Sequence, residues 1–272
     1  MRTLQYLGKL RNLQVFVCAV SMLIAWSAGP AAAQDVTTIV SNMVQAQRAN
    51  RAQHTAYEVT RNYQVFKPEN PNSTSKVVAE VDFLPPGAKS FKITQSTGGM
   101  VEHVVRKSLE HEVELTQDPS ESEYTPANYD FTLVGRDVVD GSQCYVLQLK
   151  PKHDSKDLLN GNAWVDAKTF LIRKVEGSPS KSLSFWLKDV RLTFRYQDVD
   201  GMWLRTSSQA SAHVRFSGEM DLISRDVQFK SLQDNDLATA APSPVLRATH
   251  YSPRNTARRN TATNNFRDQQ QP

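Results

Sequence analysis

Histidines beside glutamates are the residues of this chain that first suggest metal chemistry. His103 follows Glu102, and His111 precedes Glu112, in a segment with helical spacing. Eight residues along a helix turn by about 80° from a common face, and the HExxH spacing of zinc enzymes is absent. The other histidines are scattered and form no ligand pair: His54, His153, His213 and His250. We therefore interpret the first four residues as exposed helix charges and predict no bound metal.

The sequence contains no signature of a catalytic nucleophile either. The serines at 178, 180, 182 and 184 lack a G-x-S-x-G context. Cys144 lies in the strand-like run 143–147 without a basic cluster that would lower its pKa, which is typical of a buried structural thiol. Gly98-Gly99 precedes a predicted helix and could bind an anion there. The simpler interpretation is that the two glycines only begin that helix. We predict that the protein is not an enzyme and needs no cofactor.

The first 33 residues resemble a secretory signal peptide. Arg2, Lys9 and Arg11 precede an apolar run from Leu13 to Trp26, and Ala31-Ala32-Ala33 offers a cleavage site after Ala33. The run is shorter than the roughly 20 residues that span a bilayer. We predict export to the periplasm with no transmembrane span in the mature chain; an uncleaved membrane anchor is the alternative.

The basic charge of the chain comes from its two ends. The whole sequence carries a net charge of +4, but residues 1–33 hold three basic and no acidic residues, and residues 238–272 hold five arginines and one aspartate. The body from 34 to 237 is left with 24 basic and 27 acidic residues. We therefore expect no nucleic-acid binding by the body. The tail over 238–272 has little to bury and is predicted to be disordered.

Two segments have helical periodicity. Asp35 is a suitable N-cap for a helix to about Ala52, whose apolar stripe contains Val36, Ile39, Val40, Met43 and Val44. A second helix follows Gly98-Gly99, with apolar residues from Met100 to Leu109. Both are predicted to face a core, and a polar loop over 119–126 follows the second.

The remainder of the body alternates like antiparallel strands. Tyr57, Val59, Arg61, Tyr63 and Val65 share one face of a strand, and further strands are predicted over 77–83 and around 91–93, with a loop over 68–73 between the first two. Asp140-Gly141, Asp166–Thr169, Asp200-Gly201 and Ser217-Gly218 mark hairpin turns in the second half. The phase shift between Leu222 and Ile223 predicts a β-bulge there.

Strands of about ten residues cannot stay flat. With two amphipathic helices, they predict an α+β fold: a strongly curved, unclosed antiparallel β-barrel whose concave side is covered by the helices. We expect one domain over 34–237, acting as a monomer. In the clearest strand, Trp186, Val190, Leu192, Phe194 and Tyr196 alternate with polar residues and should share one face.

A concave sheet that short helices cover incompletely leaves an apolar cavity. Aromatic residues of the long-stranded half are the candidates for its lining, although most of them could equally belong to the core: Tyr145, Trp164, Phe185, Trp186, Phe194 and Trp203. Which face of each strand is concave does not follow from the sequence.

Five segments of the chain resemble the LolA/LolB-like family of bacterial envelope proteins: 135–147, 161–166, 175–177, 184–186 and 200–204. The resemblance extends over most of residues 35–230 and rests on turns and aromatics. It implies a curved open barrel with a helical lid, a periplasmic location and binding of lipid or lipoprotein acyl chains. The chain has no lipobox, unlike an anchored receptor, and its arginine-rich tail departs from the common pattern.

Two functions remain open from the sequence. The first is a periplasmic carrier that sequesters lipid or lipoprotein acyl chains, as in outer-membrane lipoprotein sorting. The second is an envelope sensor or protein-interaction module on the same fold, with an envelope membrane protein as its partner.

Overall fold

The computed structural model describes residues 35–232. The predicted signal peptide, its cleavage site after Ala33 and the basic tail over 238–272 lie outside the described residues. The domain limits at 34 and 237 therefore stay predictions.

Two α-helices form where the sequence predicts them. Helix α1 spans Val36–Ala52 and buries Ile39, Val40 and Met43, three residues of the predicted apolar stripe. Asp35 precedes it in extended conformation, but its side chain makes no capping hydrogen bond. Helix α2 spans Gly99–Gln117, and a short 3-10 helix follows over Pro119–Ser122. None of the helices within residues 35–232 is both long and apolar enough to cross a membrane.

Ten antiparallel strands form one sheet with the order β3-β2-β1-β10-β9-β8-β7-β6-β5-β4. Strands that follow one another in the chain pair with each other, except β3 and β4, which are the two open edges of the sheet; β10 pairs with β1 and joins the two halves. The predicted unclosed antiparallel half-barrel of α+β class is thereby confirmed. The strands are β1 Tyr57–Lys67, β2 Asn70–Leu84, β3 Ala88–Ser96, β4 Tyr129–Val139, β5 Ser142–Pro151, β6 Leu159–Asp166, β7 Ile172–Pro179, β8 Leu187–Val199, β9 Met202–Val214 and β10 Gly218–Ser231.

The helices divide the interior into two apolar clusters. In the first, which we call the α1 core, Ile39, Val40 and Met43 pack against buried residues of β4 to β7, such as Leu147 and Val165. In the second, the α2 core, Val105 and Leu109 pack against residues of β1, β2 and β9. The sheet thus has a separate core beneath each helix.

Aspartate-glycine pairs form the turns of the β4–β5 and β8–β9 hairpins, as predicted. Asp140 and Gly141 have φ values of 48° and 78°, and Asp200 and Gly201 have 56° and 81°. This pair of left-handed conformations is the one that suits a tight two-residue hairpin turn. The turn between β6 and β7 uses side-chain bonding instead: Asp166 Oδ1 accepts hydrogen bonds from the backbone N–H groups of Lys168 and Thr169. The prediction of Asp166 as a turn residue is confirmed.

Three details of the strands differ from the predictions. The loop over 68–73 is much shorter, because β2 begins at Asn70, which pairs with Lys67. No register shift falls between Leu222 and Ile223; β10 bulges at Val227, opposite Thr60 and Arg61. Ile223 lies on the outer face of β10 and is partly exposed. The change of apolar face between Leu222 and Ile223 therefore does not come from a bulge.

The third difference concerns the face of β8. An extra residue between Lys188 and Arg191 shifts the pairing with β9, and Asp189 there has a φ of 51°. Leu187, rather than Trp186, is therefore in phase with Leu192 and Phe194. The predicted placement of Trp186 on their face is wrong, because a bulge inverts the alternation.

Two glycines face each other across β6 and β7. Gly161 and Gly177 are register partners, and a Cβ on Gly161 would overlap the carbonyl oxygen of Glu176 and lie 2.5 Å from the Cα of Gly177. A Cβ on Gly177 would lie 2.6 Å from the carbonyl oxygen of Asn160. Such a close approach of two backbones is open only to glycine.

Candidate functional site

A cavity of about 390 Å³ opens between the two helices and the sheet. It lies at the end of the molecule where α1 and α2 finish and where the turns after β6 and β8 meet. Its walls come from both α-helices, from β1, β2, β3, β7, β8, β9 and β10, and from the segments between them. The lining residues are Gln47, Asn50, Arg51, His54, Tyr57, Arg61, Phe83, Pro86, Lys89, Glu112, Leu115, Thr116, Pro119, Ser122, Tyr124, Leu171, Ile172, Tyr196, Trp203, Leu204, Arg205 and Asp226.

The floor of the cavity is an ion-pair cluster around Glu112. Its carboxylate accepts hydrogen bonds from Arg61 at 2.9 Å, Lys89 at 2.8 Å and Arg205 at 2.7 Å. Arg61 also donates through Nε and Nη2 to the carboxylate of Asp226. Three cations from β1, β3 and β9 thus converge on one carboxylate of α2, with a second carboxylate from β10 behind Arg61.

Most of this ion-pair cluster is removed from water. The side chains of Arg61 and Glu112 are 8% and 15% exposed, and Arg205 is the most open member at 33%. Burial by itself raises the pKa of Glu112, but Arg61, Arg205 and Lys89 lower it by more, and the net pKa lies well below the usual range. Glu112 is therefore a buried anion that its three cations hold ionised.

Above this floor the walls are aromatic. The rings of Tyr57 and Phe83 stack with centroids 5.2 Å apart. Tyr124 and Tyr196 share a hydrogen bond, and burial raises the pKa of both phenols. Trp203 is held by three hydrogen bonds: its backbone N–H and C=O bond the side-chain amide of Asn50, and its indole N–H donates to the carbonyl of Ile172 at 2.7 Å. The cavity therefore combines a rigid aromatic wall with a charged floor.

The structure places the six predicted lining residues in three different surroundings. Trp203 lies in the cavity wall. Tyr145 is buried in the α1 core, where it stacks on Phe170, and Phe194 packs against the same core with the guanidinium of Arg205 over its ring. Phe194 therefore adjoins the cavity through Arg205.

The other three predicted residues lie outside the concavity. Trp164 lies on the opposite face of β6 from its buried neighbours Ala163 and Val165. Its indole N–H donates a hydrogen bond to Asp137, and the ammonium group of Lys174 lies over its ring. Phe185 and Trp186 are 71% and 54% exposed. They lie beside Phe216, which is 91% exposed at the turn between β9 and β10. We call these three residues the aromatic tip.

Sequence reasoning missed the charged floor. Glu112 was predicted to be an exposed helix charge, which is wrong because it points into the cavity. Arg61 carried the available signal: it occupies the inward face of β1 between Val59 and Tyr63, where a charge needs a buried partner.

The remaining candidate residues lie apart from the cavity. Cys144 is a buried free thiol, as predicted, and burial raises its pKa. His111 is exposed and pairs with Asp157 from the loop before β6. Within residues 35–232, no group of three or more potential ligands is placed to hold a metal ion.

The fold and the cavity define the class of this protein: an open antiparallel half-barrel with a helix-covered cavity. A family model described as an uncharacterized protein matches residues 107–241, which are 135 of the 272 residues. No curated protein matches the sequence.

Several solved structures are similar to the chain. A LolA superfamily protein from Nitrosomonas europaea is 15% identical with a TM-score of 0.42, over 71% of this chain and 94% of that one. A DUF1329 family protein from Desulfovibrio piger is 14% identical with a TM-score of 0.39, over 73% and 95%. A domain from Vibrio parahaemolyticus, assigned to the outer membrane lipoprotein-sorting proteins, is 15% identical with a TM-score of 0.40, over 72% and 95%.

The resemblance to LolA proteins noted in the sequence thus recurs among the solved structures.

Proposed function

We propose that this protein is a periplasmic binding or carrier protein that takes up acyl chains of lipids or lipoproteins in the cavity between its helices and sheet. The observation that carries the proposal is the cavity of about 390 Å³ walled by Tyr57, Phe83, Leu115 and Trp203. Its size falls within the range of roughly 300–1,000 Å³ that is usual for ligand pockets.

Burial of apolar surface would drive this binding. Each methylene group that leaves water contributes about 0.8 kcal/mol, so ten groups would contribute about 8 kcal/mol before the cost of ordering the chain. The hydrogen bonds to Trp203 and the Tyr57–Phe83 stack fix the wall in advance, which lowers that ordering cost on the side of the protein.

Filling the cavity should weaken ligand binding. Leu115 of α2 faces the cavity, whereas its neighbour Glu114 is exposed, with 76% of its side chain accessible. We expect Leu115→Trp to weaken the binding of a fluorescent fatty acid roughly tenfold to fiftyfold, because the larger ring displaces about two to three methylene groups. Glu114→Trp adds the same side chain outside the cavity and should bind like the unchanged protein.

Native mass spectrometry of the full chain, purified from a periplasmic fraction, tests the same proposal without a substitution. A co-purified lipid is expected. Absence of any lipid, together with no response to the fluorescent fatty acid, would contradict the carrier function. Equal weakening by both tryptophan substitutions would place binding elsewhere on the protein.

A second candidate function is that of an envelope interaction module, and the aromatic tip is the observation that favours it. Phe185, Trp186 and Phe216 come from two separate turns and form one exposed apolar cluster, with the guanidinium of Arg215 over the Phe185 ring at 4.2 Å. Exposed apolar clusters of this kind commonly mark contact surfaces.

Removing one aromatic side chain of the tip should weaken capture of an envelope membrane protein without affecting ligand binding. We expect Phe216→Ser to reduce pull-down from detergent-solubilised envelopes at least tenfold, because aromatic anchors supply most of the binding energy of such contacts. Val138→Ser, at a residue that is 52% exposed on β4, is the matched control. Unchanged capture by the Phe216 variant would argue against the module.

A further inference from the structure

The charges in the cavity floor do not balance. Arg61, Lys89 and Arg205 carry three positive charges, and Glu112 and Asp226 carry two negative charges. A buried charge without a counter-charge is costly, because the protein interior replaces little of the hydration that the charge loses. The cluster therefore holds one positive charge that the lining residues leave uncompensated.

Arg51 does not alter this balance. Its guanidinium also lines the cavity, but it forms an ion pair with Glu123 at the start of the loop that precedes β4. The neighbouring His54 lies near the same cations: burial is the main cause that lowers its pKa, and the positive charges of Arg51 and Lys89 lower it further. The net positive charge of the floor therefore rests on Arg61, Lys89 and Arg205, without a contribution from Arg51.

Arg205 is the member of the cluster with donors to spare. A guanidinium group has five N–H donors. Within residues 35–232, the hydrogen bond described for this side chain is the one to Glu112, and one third of the side chain is exposed. Its Cζ lies 5.2 Å from the centroid of the Phe194 ring, which places the guanidinium at the boundary between apolar wall and charged floor.

We infer that the cavity takes an anionic amphiphile, whose apolar part lies against the aromatic wall and whose carboxylate or phosphate oxygens accept hydrogen bonds from Arg205. This inference rests on the proposed function and narrows its ligand class. The anion would supply the missing negative charge, so ligand binding would complete the ion-pair cluster rather than compete with it.

A pair of ligands that differ only in charge tests the inference. Palmitic acid and hexadecanol have the same chain, and at pH 8 only the acid is ionised. We expect the full-length protein to bind the acid about tenfold to hundredfold more tightly than the alcohol, as measured by displacement of a fluorescent fatty acid; this is the range of a charge-assisted hydrogen bond. Inorganic phosphate alone, at millimolar concentration, should displace little of the probe.

Substitution of Arg205 should remove this preference selectively. Arg205→Gln should bring the two affinities within about threefold, and Arg205→Lys should retain most of the preference. Arg225→Gln, on the exposed side of β10, is the matched control and should keep the full difference. If the Arg205→Gln variant does not fold, the comparison of acid and alcohol on the unchanged chain decides.

The outcomes separate the inference from the function on which it rests. Equal affinity for acid and alcohol would overturn the anionic ligand class and leave acyl-chain binding intact. Failure of both to bind would contradict the proposed function itself. If phosphate displaced the probe as strongly as the acid does, the cavity would be a site for free anions, and the inference that its ligand is an amphiphile would be overturned.

Discussion

Replacing Glu112 with glutamine should lower the free energy of unfolding by about 3–5 kcal/mol, the usual cost of removing one partner from a buried ion pair. The glutamine keeps the size and shape of the side chain but removes the charge that Arg61, Lys89 and Arg205 share. Three largely buried cations would then have only Asp226 as a counter-charge.

The effect should depend on pH in a defined direction. Because Glu112 has a lower pKa in the folded protein than in the unfolded chain, its stabilising contribution is fully present above the unfolded pKa of about 4.3. That contribution is lost as the pH falls through the lower folded pKa. The difference between the unchanged protein and Glu112→Gln should therefore be largest at neutral pH and should narrow below about pH 4.

Urea unfolding at pH 7 and at pH 3.5 measures both parts of this prediction. Glu110→Gln is the matched control, because Glu110 lies on the same helix and pairs with Lys107 at the surface. It should change the unfolding midpoint little at either pH. If both variants lost the same free energy of unfolding, the buried ion-pair cluster would contribute no more to stability than a surface ion pair.

Adding a single methyl group at Gly161 should destabilise the fold by at least about 1–3 kcal/mol, the usual cost of overpacking. The new Cβ of Gly161→Ala would overlap the backbone of β7 at Glu176 and Gly177. These are backbone atoms, so no side chain can move aside, and β6 and β7 would have to separate at this pair.

Gly135→Ala provides the matched control on β4. A Cβ at Gly135 has no atom within 4 Å, and the residue has no left-handed backbone conformation. This variant should unfold at the same urea concentration as the unchanged protein, or slightly higher, since alanine restricts the unfolded chain. A Gly161 variant as stable as the Gly135 variant would show that the close approach of β6 and β7 is not needed.

The architecture was predictable because its signals are local. The period-2 alternation in β1, the helical stripe from Ile39 to Met43 and the Asp-Gly turns each specify an element within about ten residues. The bulges in β8 and β10 were not predictable in this way. A bulge depends on the pairing with a neighbouring strand, and one extra residue inverts the face of everything beyond it, as Trp186 shows.

The site was less predictable, because its members meet only in the folded chain. Glu112 bonds Arg61 and Arg205, which are 51 and 93 residues away in the sequence. A signal nonetheless existed. Seven residues after Val105 and three after Leu109, Glu112 lies on the buried face of α2, and Arg61 lies on the buried face of β1. Opposite charges on two facing apolar surfaces predict a buried ion pair.

The long β8–β9 hairpin has one further consequence. The aromatic tip lies beside Leu187 at one end of β8, and the cavity residue Tyr196 lies nine positions along the same strand. At roughly 3.3 Å per residue this is about 30 Å. A contact confined to the tip would therefore not touch the cavity residues, and it would not compete directly with a ligand for them. If partner binding at the tip changed the affinity of the cavity for its ligand, ligand binding would change the affinity for the partner by the same factor. The β8–β9 hairpin is the element that connects the two sites.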